Sequence, residues 1–418
     1  MFLTRYTSAL RWRAIASSKP IRDSINRFTS TDASLSLPSL NTNFPYRWLR
    51  DSCQCPQCVH PSTLQKLHRS SDIPHDVAPK TGGVRTAAEG VHVDWKGGHS
   101  SFYPTEFLSR HASPTNLASF HHDVRRTTWK ANDFVSTPHK ITWDALQTDR
   151  GMLDAITQLL RYGLLFVEGV PNEETDHAKC GAHELALKFA PLKHTFYGHL
   201  WDVKNMINSR NIAYTNLYLG FHMDMQYFET PPTFQILHCI RNRVEGGTSL
   251  FADALGAAER LRAEDPAAFN VLTSTPVNFH YINDGHHVHR THPTFQLSTF
   301  PDPITGQYAV EHINYAPPFQ APLPSDTPPA LYDALAKFSE LLDDEAATFK
   351  YGLREKDAVI FNNRRVLHAR TSFSEGEDFM GQDGQPTANR WLIGCYFDGD
   401  SMADRRRILK AKEEKGEL

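Results

Sequence analysis

From about residue 138 onward, short apolar runs alternate with turn residues. The runs "YGLLFVEGV", "PTFQILHCI", "GGTSLFAD", "DAVIFNN" and "NRWLIGCYF" are bounded by Gly, Pro, Asn or Asp, which predicts strands. Between them, "PALYDALAKFSELLDD" puts Leu331, Leu335, Phe338 and Leu342 on one helical face. "DALGAAERLRAEDPAAFNVL" reads as two short helices broken at Pro266. There is no βαβ alternation and no glycine-rich phosphate loop. Many short strands decorated by helices predict a mainly β fold with flanking helices, a jelly-roll-like barrel over residues 138–418. Residues 35–112 read as a small α+β domain with strand-like pieces "VHVDW" and "SSFYPTEFL". Residues 113–137 have few periodic apolar positions and read as a linker.

Composition changes this picture little. A net charge of −3 over 418 residues gives no global field for nucleic acid or anionic membrane. No run of 18 apolar residues exists, so no spanning helix is expected. The N-terminus does stand apart: its first 30 residues hold six basic residues, one acid (Asp23) and eight Ser or Thr. That composition predicts a mitochondrial transit peptide over residues 1–33. The plainer alternative is a disordered tail on a cytoplasmic protein.

Two groups of residues carry candidate metal chemistry. "DSCQCPQC" offers Cys53, Cys55 and Cys58 within six residues. Thiolates this close can converge on Zn²⁺, which wants a fourth N or S ligand. His60, His68, His92 and His99 are candidates, and His99 lies in a glycine turn, "KGGHSSFYP", that can aim it back. Four protein ligands make a closed, structural site. A nucleic-acid-binding zinc module is the competing class, but the flanking sequence is only mildly basic. Cys180, Cys239 and Cys395 are isolated, and the two in strand-like runs, Cys239 and Cys395, read as small core hydrophobes, so no disulfide framework is expected.

The second group is a His-x-Asp triplet. With 22 histidines, the chain has three: His92–Asp94, His121–Asp123 and His222–Asp224. A non-haem Fe(II) oxygenase needs two His and one carboxylate on one face of the metal. Residues two apart on a strand share a side. Only His222–Asp224 lies in the large domain, where His368 in "NNRRVLHAR" is a plausible third ligand and Arg390 a possible carboxylate clamp.

These residues carry a family resemblance. The chain is similar to the γ-butyrobetaine and trimethyllysine dioxygenases, the Fe(II)/2-oxoglutarate enzymes of carnitine biosynthesis. The likeness rests on "LRDSCQCPQC", "GGHSSFYP", "TFYGHLW", "NIAYTNLYLGFHMD", "PPTFQILHCI", "VEGGTSLFAD", "NNRRVLHAR" and "RWLIGCYFDGD". It implies iron ligands at His222, Asp224 and His368, a 2-oxoglutarate clamp at Arg390, and zinc ligands at Cys53, Cys55, Cys58 and His99. It also implies a double-stranded β-helix, a homodimer, and O₂ and 2-oxoglutarate as cosubstrates; Ser249 in "GGTS" is a further candidate to assist the Arg390 contact. The 21 residues between His368 and Arg390 exceed the family's usual spacing, which leaves Arg370 as the second choice for the clamp.

The same resemblance implies an aromatic cage of Tyr197, Trp201, Tyr214 and Tyr396 for a quaternary ammonium. Asn211 resembles the butyrobetaine enzymes, where trimethyllysine enzymes tend to have Asp. Asn314 is a second candidate at that end. γ-Butyrobetaine is therefore the preferred substrate, with trimethyllysine or a related quaternary ammonium next. The contrasting class is a catalytically dead interaction scaffold. The five histidines between 280 and 292 read as a solvated loop near the substrate side, with a second metal site as the alternative.

Overall fold

In this computed structural model, residues 28–31, 33–136, 139–205, 212–374, 379–380 and 386–418 are described. Nearly all of the expected leader, Asn211 and most of the polar segment after Ser374 lie outside them. The chain divides into two compact units, one up to Asp123 and one from Val124 onward.

The first unit is built on an antiparallel sheet of Pro79–Ala87, Gly90–Trp95 and Ser100–Pro104. Strand Gly90–Trp95 alternates: Val91, Val93 and Trp95 are buried, while His92 and Asp94 are not. Beside it lie a small sheet that includes Ser34–Leu37 and Thr42–Pro45, and the helix Tyr46–Asp51. "SSFYPTEFL" is only half a strand. Pro104 has no amide hydrogen for the ladder, and Thr105–His111 continues as a helix. The expected linker also holds ordered structure, the helices Pro114–Phe120 and Ala131–Ser136. The first is capped by Ser113, whose side chain accepts from the Asn116 amide at 3.1 Å.

The second unit has a mixed α/β architecture with a β-sheet core. A six-stranded sheet runs in the order Lys140–Thr142, Leu164–Glu168, Ala358–Asn362, Phe234–Asn242, Arg390–Phe397, Leu200–Lys204. A four-stranded sheet runs Leu219–His222, Val366–Arg370, Ser249–Asp253, Thr348–Tyr351. The sheets face each other. Phe251 of the smaller sheet meets Phe166 and Phe361 of the larger, with ring centroids 5.7 and 5.8 Å apart. Helices Asp149–Tyr162, Gly181–Phe189 and Asp400–Glu414 pack together, the first two against the larger sheet. Ala254–Glu264, Pro266–Ser274 and Pro329–Asp343 form a second group that packs against the smaller.

Strand periodicity then decides what faces the space between the sheets. In Arg390–Phe397, Arg390, Leu392 and Tyr396 line it. Ile393, Cys395 and Phe397 join the apolar core on the other side. The six cysteines are all free thiols, and Cys180, Cys239 and Cys395 are buried.

The histidine-rich stretch is a hairpin, not a loop: Pro276–Asn283 pairs in full register with His286–Pro293. Its turn has φ of 48° at Asp284 and 75° at Gly285. Positive φ at both central residues marks a type I′ turn, which matches the twist of the flanking strands. Val277, Phe279 and Tyr281 alternate inward with Asn278 and His280 between them, the period-two signature of a half-buried strand.

Candidate metal centres and active site

The pairing of the four-stranded sheet assembles the first centre. His222 ends its strand directly opposite His368, and Phe251 lies opposite His368 on the other side. The two imidazole centroids are 4.1 Å apart. Two residues past His222, Asp224 turns back to the same place, with Oδ1 3.4 Å from His222 Nε2. One ligand atom from each of the three lies within 4.8 Å of the others.

The ligands are held from behind. His222 Nδ1 is 2.8 Å from the Gly220 carbonyl, which fixes the tautomer and leaves Nε2 facing the cluster. Asp224 is held at both ends. Tyr396 donates from its hydroxyl to Asp224 Oδ2 at 2.6 Å. Asn363 accepts from the Asp224 amide at 2.8 Å and donates to the Asp224 carbonyl at 2.9 Å and the Pro232 carbonyl at 3.2 Å. Asn363 is fully buried. Its clamp steadies a strained turn, because Met225 follows in the left-handed region at φ 60°.

Electrostatics agree with this arrangement. Burial alone would raise the Asp224 pKa, yet the His222 contact, the neighbouring His368 and the Tyr396 hydroxyl hold it well below the usual carboxylate range. Burial, aided by the His222 charge, pushes His368 down to about 3, so its ring is neutral and able to ligate at neutral pH. The donor set of two imidazoles and one carboxylate fits a non-haem iron.

A cavity partly open to solvent lies over this cluster. Tyr197, Trp201, Tyr214 and Tyr396 all line it, as do Ser249 and Arg390. Trp201 stacks on Tyr396 with centroids 4.3 Å apart. That contact needs Gly394, opposite Trp201 in the register, since a Cβ there would meet the indole at 2.6 Å.

The two candidate arginines differ in their partners. Arg370 donates to the carbonyls of Ala213, Thr215 and Leu217 at 3.1, 2.7 and 2.7 Å. Both have a buried Nε without a partner, but no such carbonyl bonds are seen for Arg390 among the described residues; it lies over the Phe373 ring at 5.6 Å, and burial lowers its guanidinium to about 10, still charged at neutral pH. A buried guanidinium that lines the cavity with its Nε unpaired suits an incoming carboxylate.

Asn314 is not among the residues lining the cavity. It is 1% exposed and donates to the Pro293 carbonyl at 2.7 Å. The other His-x-Asp triplets have different surroundings. Asp94 takes Arg85 at 2.5 Å and Ser100 at 2.6 Å, and His92 packs on Phe102. Among the described residues the histidine-rich hairpin brings together no third ligand.

In the first unit, Cys53, Cys55, Cys58 and His99 converge. Their sulfurs lie 3.3, 3.6 and 3.6 Å from His99 Nε2. Zinc bonds of about 2.3 Å to sulfur and 2.0–2.1 Å to nitrogen, set tetrahedrally, give edges of about 3.6 Å. The cluster therefore fits zinc, and it resolves the choice among four histidines in favour of His99.

Residues 126–396 match the sequence profile "Taurine catabolism dioxygenase TauD, TfdA family". The chain belongs to the TauD/TfdA dioxygenase family. As a TauD-type dioxygenase it also carries a second matching module, "Gamma-butyrobetaine hydroxylase-like, N-terminal", over residues 36–109. Its relatives include "Dioxygenase str8" of Strobilurus tenacellus, 49% identical over 94% of this chain and 92% of that one. "Gamma-butyrobetaine dioxygenase" of Pseudomonas sp. is 30% identical over 87% and 89%. "Trimethyllysine dioxygenase, mitochondrial" of Gallus gallus is 26% identical over 88% and 83%. Family membership and the His/Asp/His cluster together make this chain a catalytic dioxygenase related to the butyrobetaine and trimethyllysine enzymes.

Sequence reasoning missed several residues of the site. Asn363 sits in the quoted "NNRRVLHAR", but an Asn after a strand reads as turn chemistry. Tyr227 and Phe319 also line the cavity. Arg365 and Asp253 form a buried ion pair at 2.8 and 2.9 Å that anchors the start of the His368 strand. No local pattern marks it, because the partners are 112 residues apart.

Proposed function

We propose that this dioxygenase hydroxylates a quaternary ammonium substrate, with γ-butyrobetaine, giving carnitine, as the favoured one. The observation that carries the reading is the cavity wall. Four aromatic side chains, Tyr197, Trp201, Tyr214 and Tyr396, surround space that opens on the His222–Asp224–His368 cluster. A quaternary ammonium has no N–H to donate, so ring faces hold it, each worth roughly 0.5–2 kcal/mol.

His222, Asp224 and His368 would hold the iron, and Arg390 with Ser249 would meet the far carboxylate of 2-oxoglutarate. Bound iron and 2-oxoglutarate would supply the oxidant, with O₂ consumed and succinate and CO₂ released. The chain's own part is orientation: the cage fixes the cationic head, and the apolar walls exclude water. The two facing sheets support a double-stranded β-helix as the scaffold, and the Cys₃His cluster a structural zinc. A mitochondrial address, from the leader composition, and a homodimer, from the resemblance, belong to the same reading.

The preference over trimethyllysine has one support within the described residues. Among the described residues Asp224 is the only carboxylate lining the cavity, and they offer an α-ammonium no further acidic partner there. Asn211 would bear on the same choice. The name of the 49% identical relative carries no substrate, so the assay needs a third arm.

The test is mass spectrometry of products from purified protein with Fe(II), 2-oxoglutarate, O₂ and each candidate in parallel. A product heavier by one oxygen from γ-butyrobetaine alone, with matching succinate, is expected, and it should vanish in Asp224→Ala. A product from trimethyllysine alone would overturn the substrate and keep the site. Hydroxylation of neither, but of another trimethylammonium compound, would keep only the cage. No succinate from any tube would leave the scaffold role as the better reading.

A further inference from the structure

A cage wall needs a ring, and a phenylalanine would serve. Position 396 carries a tyrosine whose hydroxyl is buried, and a buried hydroxyl must find a partner. The partner it finds is Asp224 Oδ2, at 2.6 Å. A short O–H···O⁻ bond of this kind is charge-assisted and directional. The other oxygen, Oδ1, is the one that faces His222 Nε2 at 3.4 Å. The two oxygens of the carboxylate thus face different partners, one the ligand cluster and one Tyr396.

The hydroxyl is also held rigidly. Tyr396 sits at an inward position of Arg390–Phe397, a strand paired on both sides. Its ring is stacked on Trp201 at 4.3 Å, and Gly394 leaves the room for that indole. A phenol fixed by a central strand and a stacked ring is a firm reference point for a carboxylate at the end of a turn.

We propose that Tyr396 is a positioning residue for the metal-ligating carboxylate of Asp224 while its ring serves as a wall of the substrate cage. One rigid side chain sets the distance between the bound cation and the metal. The inference rests on the metal-site reading above and deepens it. Partners that orient metal ligands typically contribute 10- to 100-fold to metal affinity.

The test uses the full chain with Mn(II) as the probe, titrated calorimetrically without cosubstrate or substrate, followed by γ-butyrobetaine titrated into the Mn(II)-saturated protein. Tyr396→Phe keeps the ring and removes the hydroxyl. It should weaken Mn(II) binding 10- to 100-fold and leave γ-butyrobetaine binding within about threefold. Tyr396→Leu should weaken both. Mn(II) binding at wild-type strength in Tyr396→Phe would overturn the proposal, because a role confined to the cage would not touch the metal. If Tyr396→Phe lacks the native near-ultraviolet dichroism, 3-fluorotyrosine at 396 replaces it. That residue keeps ring and hydroxyl but donates more strongly, so unchanged Mn(II) affinity would overturn the proposal equally. Wild-type protein that binds no Mn(II), or Asp224→Ala that binds it equally well, would bring down the metal-site reading and this inference together. Mn(II) binding with no affinity for γ-butyrobetaine in the wild type would overturn the cage role and with it the double role.

Discussion

At the scale of single residues, the centre depends on groups that never touch the metal. Asn363 shows why. Its side-chain amide answers both the N–H and the C=O of Asp224, and it reaches the Pro232 carbonyl as well. Only a carboxamide can accept on one atom and donate twice on the other. Asn363→Asp replaces the donor with a second acceptor facing two carbonyls, in a fully buried place. The expected cost is about 1–3 kcal/mol of stability from unsatisfied groups, measured by urea unfolding. A 10- to 100-fold loss of Mn(II) affinity should accompany it. A variant with wild-type metal affinity would mean that the turn holds itself. Residues of this kind were not legible beforehand. His222, Asp224, His368, Cys53, Cys55 and Cys58 are, because chemistry restricts which residue types can ligate, while His99 was one of four candidate histidines for the Cys₃His cluster. A positioning residue is defined by geometry alone, and Asn363 lies 139 positions from its partner.

At the scale of elements, strand periodicity turned a readable pattern into a site. The apolar runs marked the core strands, and in the structure the two-residue period of Arg390–Phe397 puts Arg390 and Tyr396 on one side. Counting failed on the hairpin's second strand, His286–Pro293, which is mostly polar on both faces, whereas Pro276–Asn283 keeps the alternation Val277, Phe279, Tyr281. It failed again at Pro104, where a strand hands over to a helix without a change of composition. Asn314 shows a further limit. A polar residue in the right neighbourhood can be spent on a backbone carbonyl, here that of Pro293. The same strand logic makes Gly394 a specificity element. Its missing side chain is what Trp201 occupies, and any Cβ would meet the indole at 2.6 Å. Gly394→Ala should therefore tilt Trp201 off Tyr396, at about 1–3 kcal/mol in stability. In steady-state assays KM for the proposed quaternary ammonium substrate should rise about 2- to 30-fold, the loss of one cation–ring contact of roughly 0.5–2 kcal/mol. KM for 2-oxoglutarate should hold, because Arg390 is untouched. Equal rises in both constants would mean that the whole strand had shifted.

At the scale of the whole molecule, the buried histidines link folding to acidity. Burial pushes His139, His238 and His312 each down to about 4, outweighing the Asp133 charge at His139 and the Val170 backbone and Asp357 charge at His238; at His312 the neighbouring Arg364 and Arg126 add to the lowering. An unfolded histidine titrates near 6.5. Between these values the unfolded chain binds protons that the folded one refuses, so the stability contributed above about pH 6.5 is lost as pH falls toward 4. Each such histidine should cost roughly 2 kcal/mol between pH 7.5 and pH 5, a large share of a typical 5–15 kcal/mol total. His238 offers the cleanest test, being fully buried on Phe234–Asn242 and outside both metal clusters. Urea unfolding of His238→Leu at the two pH values should show a shallower decline than the wild type, by about 2 kcal/mol. Parallel declines would mean that His238 stays neutral in the unfolded chain or is protonated in the folded one, and the acid lability would then lie with the other two.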